Sequence, residues 1–214
     1  MKISLSRVFL VLSAVMALFL VTLAAYAARV RSSAEALISS ANEIHSTADA
    51  ERQIAALRNR SGWSVWQENS TAAGEQTYNV HVENGLLHRL RLVPPTMVGM
   101  TISMHDGELK SIVLTMFSGR NPSTTSGVWV QEWFAAETVG SFHVNDNRKP
   151  GRATVDFSSA IPQAQREKAL SMNSNCLVRP SGCKTAEEML PGVWQLRAPV
   201  SSRKAEESFQ PSAP

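Results

Sequence analysis

No catalytic signature occurs in these 214 residues. A G-x-S-x-G elbow, an H-E-x-x-H zinc helix, a P-loop and a dinucleotide-binding fingerprint are all missing, so chemistries built on those frames have no local support. Cysteine is scarce, with Cys176 and Cys183 alone, too few for a thiolate-rich zinc site. An excess of base is lacking too. Setting aside Lys2 and Arg7 at the start leaves 19 basic against 18 acidic side chains, with no clustered basic face for nucleic acid. The histidines (His45, His81, His88, His105, His143) never pair at a ligand spacing, and no internal repeat occurs. No metal and no cofactor is expected.

Charge is absent altogether from Val8 to Ala28, VFLVLSAVMALFLVTLAAYAA. At 1.5 Å per helical residue this run spans roughly 30 Å, the hydrocarbon thickness of a bilayer. A helix is the single-segment solution there, because each backbone polar group must be satisfied internally. Tyr26 stands near the outer end, where amphipathic rings settle. Two readings compete for the segment. Ala25-Tyr26-Ala27 fits the small-x-small site of a cleaved signal peptide, but the apolar run is longer than a signal core, and Arg29 and Arg31 would follow the cut. Retention as an anchor is the expectation, with a secreted or periplasmic product after cleavage as the alternative. Lys2 and Arg7 on one flank balance Arg29 and Arg31 on the other, so orientation rests on the free amino terminus and on Glu35 and Glu43, which favour the N-terminus inside.

Cys176 and Cys183 bracket Leu-Val-Arg-Pro-Ser-Gly, a turn that brings its ends together. Outside the cytoplasm such a pair reads as a disulfide, stabilising by ~2–3 kcal/mol on the chain-entropy account.

Beyond the apolar run, Arg29 to Arg60 is helical in pattern. Leu37, Ala41, Ile44 and Ala48 share one face, whereas Ala50, Ile54 and Leu57 share another roughly 200° round the axis. A break near Ser46 reconciles them, with Ser46-x-x-Asp49 as the new N-cap and Gly62 as the C-cap. From Trp63 the periodicity becomes that of strands. Tyr78, Val80 and Val82 alternate with polar residues, and Leu86, His88, Leu90 and Leu92 follow Asn84-Gly85, which predicts a hairpin pairing Val82 with Leu86 and Tyr78 with Leu90. Met100, Ile102 and Met104, then Ile112, Leu114 and Met116, predict a second hairpin turning at Asp106-Gly107. Further strands are expected at 128–134, 142–144 and 153–157. Pro162 opens a helix to about Met172, Thr185-x-x-Glu188 caps a short helix ended by Pro191, and the polar tail from Ala198 is expected to be disordered.

Several residues invite chemistry and have plainer readings. Ser181-x-x-Lys184 has the spacing of penicillin-interacting serine enzymes but overlaps the cysteine loop and lacks the companion motifs. Met97, Met100, Met104 and Met116 beside His105 could suit Cu(I), but even spacing also makes methionine an inward core filler. Trp129 and Trp133 share a strand face and read as core. Arg89 and Arg91, with His81 across the predicted hairpin, form a small cationic patch, either a solvated sheet face or a dock for acidic lipid or glycan.

The expected fold is α+β: a transmembrane helix, two short helices, then an antiparallel sheet of about six strands with C-terminal helices. The divisions are a cytoplasmic basic start (1–7), a signal-anchor (8–28), a helical stalk (29–62), an extracytoplasmic domain (63–197) and the tail (198–214). This describes a single-pass protein of the inner (plasma) membrane, held by lipid through residues 8–28. Its outer domain would bind a protein partner or serve assembly, without nucleic acid. In outline the chain is similar to type IV pilin-like proteins, which combine a hydrophobic helix, an amphipathic extension, a sheet and a late cysteine pair. That resemblance implies a structural or secretion-apparatus subunit. The family's processing glycine is missing from MKISLSRV, and its glutamate is missing from the apolar run. A hydrolase assembled from distant residues, such as His143 with Asp146 or Asp156, is the remaining alternative.

Overall fold

The computed structural model describes residues 5–58, 64–69, 74–119, 126–134, 142–147 and 151–197. The expected C-cap at Gly62 and the tail from Ala198 lie outside these. Helix α1 (Leu5–Asn42) is unbroken. Around its N-terminal half, large apolar side chains such as Phe9, Leu10, Leu18 and Val21 are exposed. In its C-terminal half Val30, Ala34, Leu37, Ile38 and Ala41 are buried, one stripe at helical spacing. The apolar run and the core helix are therefore one rod.

The chain turns where the two apolar faces disagree. Helix α2 (Thr47–Arg58) buries Ala50, Ile54 and Leu57. Its start is held by Ser46, whose Oγ accepts the Asp49 amide at 3.3 Å. The Asp49 carboxylate in return accepts the Ser46 hydroxyl at 2.9 Å and the His45 amide at 3.1 Å. Ala48, grouped with the first face in the sequence, is exposed, because it falls beyond the break and on the outer side of α2. The segment expected as a helical stalk (29–62) is described as far as Arg58. Its buried residues join those of the sheet in one core.

Seven strands form one sheet: β1 (Ser64–Asn69), β2 (Glu75–Glu83), β3 (Thr96–His105), β4 (Glu108–Ser118), β5 (Ser126–Trp133), β6 (Phe142–Asn147) and β7 (Arg152–Ser158), in the order β1-β2-β3-β4-β5-β7-β6. The hairpin turning at Asp106-Gly107 is present, with Met100 opposite Leu114 and Ile102 opposite Ile112. Neighbours are antiparallel except β5 and β7, which run parallel. The chain leaves β5, forms the edge strand β6, and returns to fill the gap as β7. Alternation along a strand carries no record of such a skip.

The first predicted hairpin is corrected. Val82 pairs with Val98 and Tyr78 with Ile102, and residues Gly85–Arg89 form a short helix, α3. LLHRLRL contains no β-branched residue, and leucine and arginine are good helix formers. Alternation alone misread it. Helix α4 (Gln163–Leu170), a 3₁₀ turn (Ser174–Leu177), α5 (Ala186–Met189) and α6 (Pro191–Arg197) complete the chain. Thr185 and Glu188 cap α5 as expected, the Thr185 Oγ1 accepting the Glu188 amide at 3.2 Å and a Glu188 carboxylate oxygen accepting the Lys184 amide at 2.7 Å. The Lys184 amide most of all, with the Arg179 guanidinium at 3.1 Å, holds the Glu188 carboxyl below its ordinary range. Pro191 does more than end α5, since it opens α6, where its missing N–H would have no partner anyway.

The even-numbered side chains of β3 and β5 up to Met104 and Glu132 are buried, and the apolar ones among them share one core with the buried stripe of α1. The result is a mixed α+β protein with α1 set against one face of the sheet, as expected from the sequence. Met100, Met104 and Met116 lie in that core, and Cys176 and Cys183 are bonded, with Cα atoms 5.2 Å apart.

Candidate functional site

Three places collect polar or aromatic groups that the core does not absorb: the outer sheet face, the excursion between β2 and β3, and the buried end of α1.

On β5 the inward positions are Val128, Val130 and Glu132, leaving Trp129, Gln131 and Trp133 on the outer face. The core reading of the two tryptophans is therefore corrected. Trp133 is 39% exposed, and Trp129 packs edge-on against Phe117 of β4, with ring centroids 4.9 Å apart. Gly127 makes this possible, since a Cβ there would stand 2.8 Å from the Phe117 ring. Beside the pair lies an open groove of about 370 Å³, lined by Val113, Trp129, Gln131, Arg152 and Thr154 among others. An aromatic floor with an amide, a hydroxyl and a guanidinium suits recognition of an extended polar chain. His143 and Asp156 are register partners on β6 and β7, but the His143 side chain lies outside those described. Among the described residues no three His, Cys, Asp or Glu side chains group for a metal ion.

The β2–β3 excursion is closed at its base by Asn84, which is 1% exposed. Its side-chain amide donates to the Pro94 carbonyl at 2.9 Å and the Leu177 carbonyl at 2.8 Å, and its oxygen accepts the Thr96 amide at 3.0 Å. Two residues on, the Leu86 amide donates to the Tyr26 hydroxyl of α1 at 3.3 Å. Helix α3 stops in a Schellman motif. The Leu92 amide reaches the Leu87 carbonyl at 3.0 Å and the Arg91 amide reaches the His88 carbonyl at 2.8 Å. The residue in the left-handed position, usually glycine, is Arg91, at φ 59°. Leu86, Leu90 and Leu92 are exposed, as are Arg89 and Arg91. The predicted cationic patch is thus rearranged: the arginines sit on this excursion, while His81 stays half-buried on β2.

Sequence reading missed the third place. Arg166 of α4 is 2% exposed and Glu132 of β5 is fully buried. The guanidinium grips the carboxylate through two bonds, Nε at 2.6 Å and Nη2 at 2.8 Å. It also donates to the carbonyls of Asn42 (2.6 Å), Ala41 (3.0 Å) and Ile44 (2.8 Å), where α1 ends. Arginine alone has the fork for this, and its charge meets the negative end of the α1 dipole. Burial pushes the Glu132 carboxyl above its ordinary range, and Arg166 pulls part of that shift back. A sequence signal existed: Glu132 takes the inward position of β5, and Arg166 shares the α4 stripe with Ala169 and Leu170. Two charges on two apolar stripes are a pair in waiting.

No family model, no curated protein and no solved structure matches this chain.

Proposed function

We infer that the protein is a membrane-tethered binding or assembly module whose folded part lies outside the cytoplasm and presents the outer sheet face to a partner. The observation that carries this is α1, an apolar helix that stands clear of the fold at one end and forms its core at the other. Cleavage after Ala27 would remove Tyr26 from its bond with Leu86, so retention of the segment agrees better with the packing. The disulfide supports an oxidising compartment, and the Phe117–Trp129 groove supplies a recognition surface.

The test has two arms on the full chain in native membranes. Alkaline phosphatase and fluorescent-protein fusions after residue 60 are expected to be active and dark, respectively; the reverse pattern would place the domain inside and sink the reading. A photo-crosslinking residue at Trp133 is expected to capture a discrete adduct, and one at Glu187, exposed on α5, to give none. Equal labelling from both would remove the sheet face as the binding site.

A second reading, a subunit of a pilin-like assembly, gains from the same unbroken helix, whose projecting half could pack against copies of itself rather than lipid. Crosslinking between positions 12 and 16 of different copies would then yield a ladder of multimers. A monomer alone at native expression would exclude it.

A further inference from the structure

We propose that the α3 excursion is a second membrane contact: Leu86, Leu90 and Leu92 enter the interface of the leaflet that α1 leaves, and Arg89 and Arg91 meet its phosphate headgroups. This rests on the reading of α1 as a membrane anchor. Three observations on the excursion point the same way.

The first is position. Tyr26 closes the apolar run, at the depth where such rings meet headgroups, and its hydroxyl holds the Leu86 amide. The excursion is therefore fixed beside the helix at the level of the interface. Length agrees. From Val8 to Thr22 α1 is clear of the fold, about 15 residues or ~22 Å, against ~30 Å of hydrocarbon. Leu23, Tyr26 and Ala27 are already half-buried by the domain. To cover the remainder, the bilayer surface must rise to the domain, and the excursion is what it meets.

The second is composition. Outside α1, the large apolar side chains exposed among the described residues are Leu86, Leu90 and Leu92 at 41%, 40% and 46%, together with Trp133. Three of the four thus fall in one seven-residue segment. Leu86 and Leu90, four apart, share a side of α3. Neither Arg89 nor Arg91 forms a salt bridge among the described residues. Leucines interleaved with unpaired arginines are the composition of an interfacial segment.

The third is strain. Arg91 occupies the left-handed position where glycine would be easier. Backbone strain of this kind is kept where the side chain is needed. Arg91 is exposed and forms no salt bridge among the described residues, and facing anionic headgroups it gains a favourable charge contact.

The experiment uses the full chain reconstituted in vesicles of phosphatidylcholine with phosphatidylglycerol. All native cysteine is in the disulfide, so single cysteines can carry a spin label: Leu90→Cys and Leu92→Cys in the excursion, Val15→Cys in the anchor, Glu187→Cys as an exposed control. Accessibility to oxygen over that to a water-soluble nickel chelate reports depth. Positions 90 and 92 are expected to give ratios several-fold above position 187, approaching position 15, and to lose depth when phosphatidylglycerol is omitted. Combining Leu90→Cys with Arg89→Gln and Arg91→Gly is expected to abolish that lipid dependence. A lipid-phase value at 15 with a water-like value at 90 and 92 overturns the proposal and leaves the anchor standing. A water-like value at 15 overturns both. Exclusion of both reagents at 90 that disappears on dilution of the protein assigns the surface to a second copy and likewise overturns the proposal.

Discussion

Replacing Arg166 by methionine keeps most of the side-chain volume and removes every donor. Glu132 is then left in a site with no exposure, and the Ala41, Asn42 and Ile44 carbonyls lose their shared partner. Breaking a buried ion pair from one side costs about 3–5 kcal/mol, and the uncapped carbonyls put this case near the top of that range. For a domain of this size about 5 kcal/mol lowers Tm by roughly 10–20 °C. Glu132→Gln is the telling companion. Its amide oxygen still accepts one guanidinium bond, and Arg166 keeps the helix-end carbonyls, so the loss is expected to be smaller, about 2 kcal/mol. Arg166→Lys, with a point charge instead of a fork, should fall between the two. Thermal unfolding of the full chain in mild detergent, followed by tryptophan near-ultraviolet dichroism, measures all three. The reasoning fails if Glu132→Gln is as damaging as Arg166→Met, because the contacts to α1 would then contribute nothing. It also fails if Arg166→Met shifts Tm by less than the spread between replicates.

Glu132 also sets a pH dependence. Its carboxyl is raised by burial, so the stability that its protonation contributes is full below the unfolded value of about 4.3 and is lost as pH rises through the folded value. The advantage of the native chain over Glu132→Gln should therefore shrink from pH 4 upward, read from urea midpoints; a widening gap would reverse the assigned shift. Reducing the Cys176–Cys183 bond reopens a loop of sequence separation 7 and should cost ~2.5 kcal/mol on the chain-entropy account, seen as a lower Tm with reductant in the native chain and no change in Cys176→Ser/Cys183→Ser. Asn84→Ala leaves the Leu177 carbonyl and the Thr96 amide without this partner and the Pro94 carbonyl with the Thr96 hydroxyl alone, with an expected loss of ~3 kcal/mol and faster amide exchange across 85–95. Normal exchange there would show that Asn84 does not hold the loop.

The parts of the fold legible in the sequence were those where local chemistry and tertiary packing agree. The break at Ser46 could be read because two apolar faces on one helix axis are incompatible, and the bonds of Ser46 and Asp49 fall where that conflict required. The hairpin at Asp106-Gly107 was legible because a turn signal and two alternating runs coincide. Leu86 to Leu92 alternates with period two, yet its leucines and arginines favour helix over strand, and there propensity prevails over period. The parallel pairing of β5 with β7 was illegible, being a property of the order in which strands fill the sheet. The pairing of Glu132 with Arg166 is hidden for a similar reason: each is unremarkable in its own element, and the two stand 34 positions apart in the chain.

Because α1 supplies the centre of the domain, synthesis delivers the keystone first and its arch last. Val30, Ala34, Leu37, Ile38 and Ala41 emerge with no surface to rest on until the sheet, α4 and the cysteine loop have followed. A nascent chain must shield that stripe until the rest of the fold has been made. The same geometry dictates where the protein can be trimmed for work in water. A fragment beginning at Arg29 keeps the whole stripe and should fold, whereas one beginning at Thr47 discards it and should precipitate.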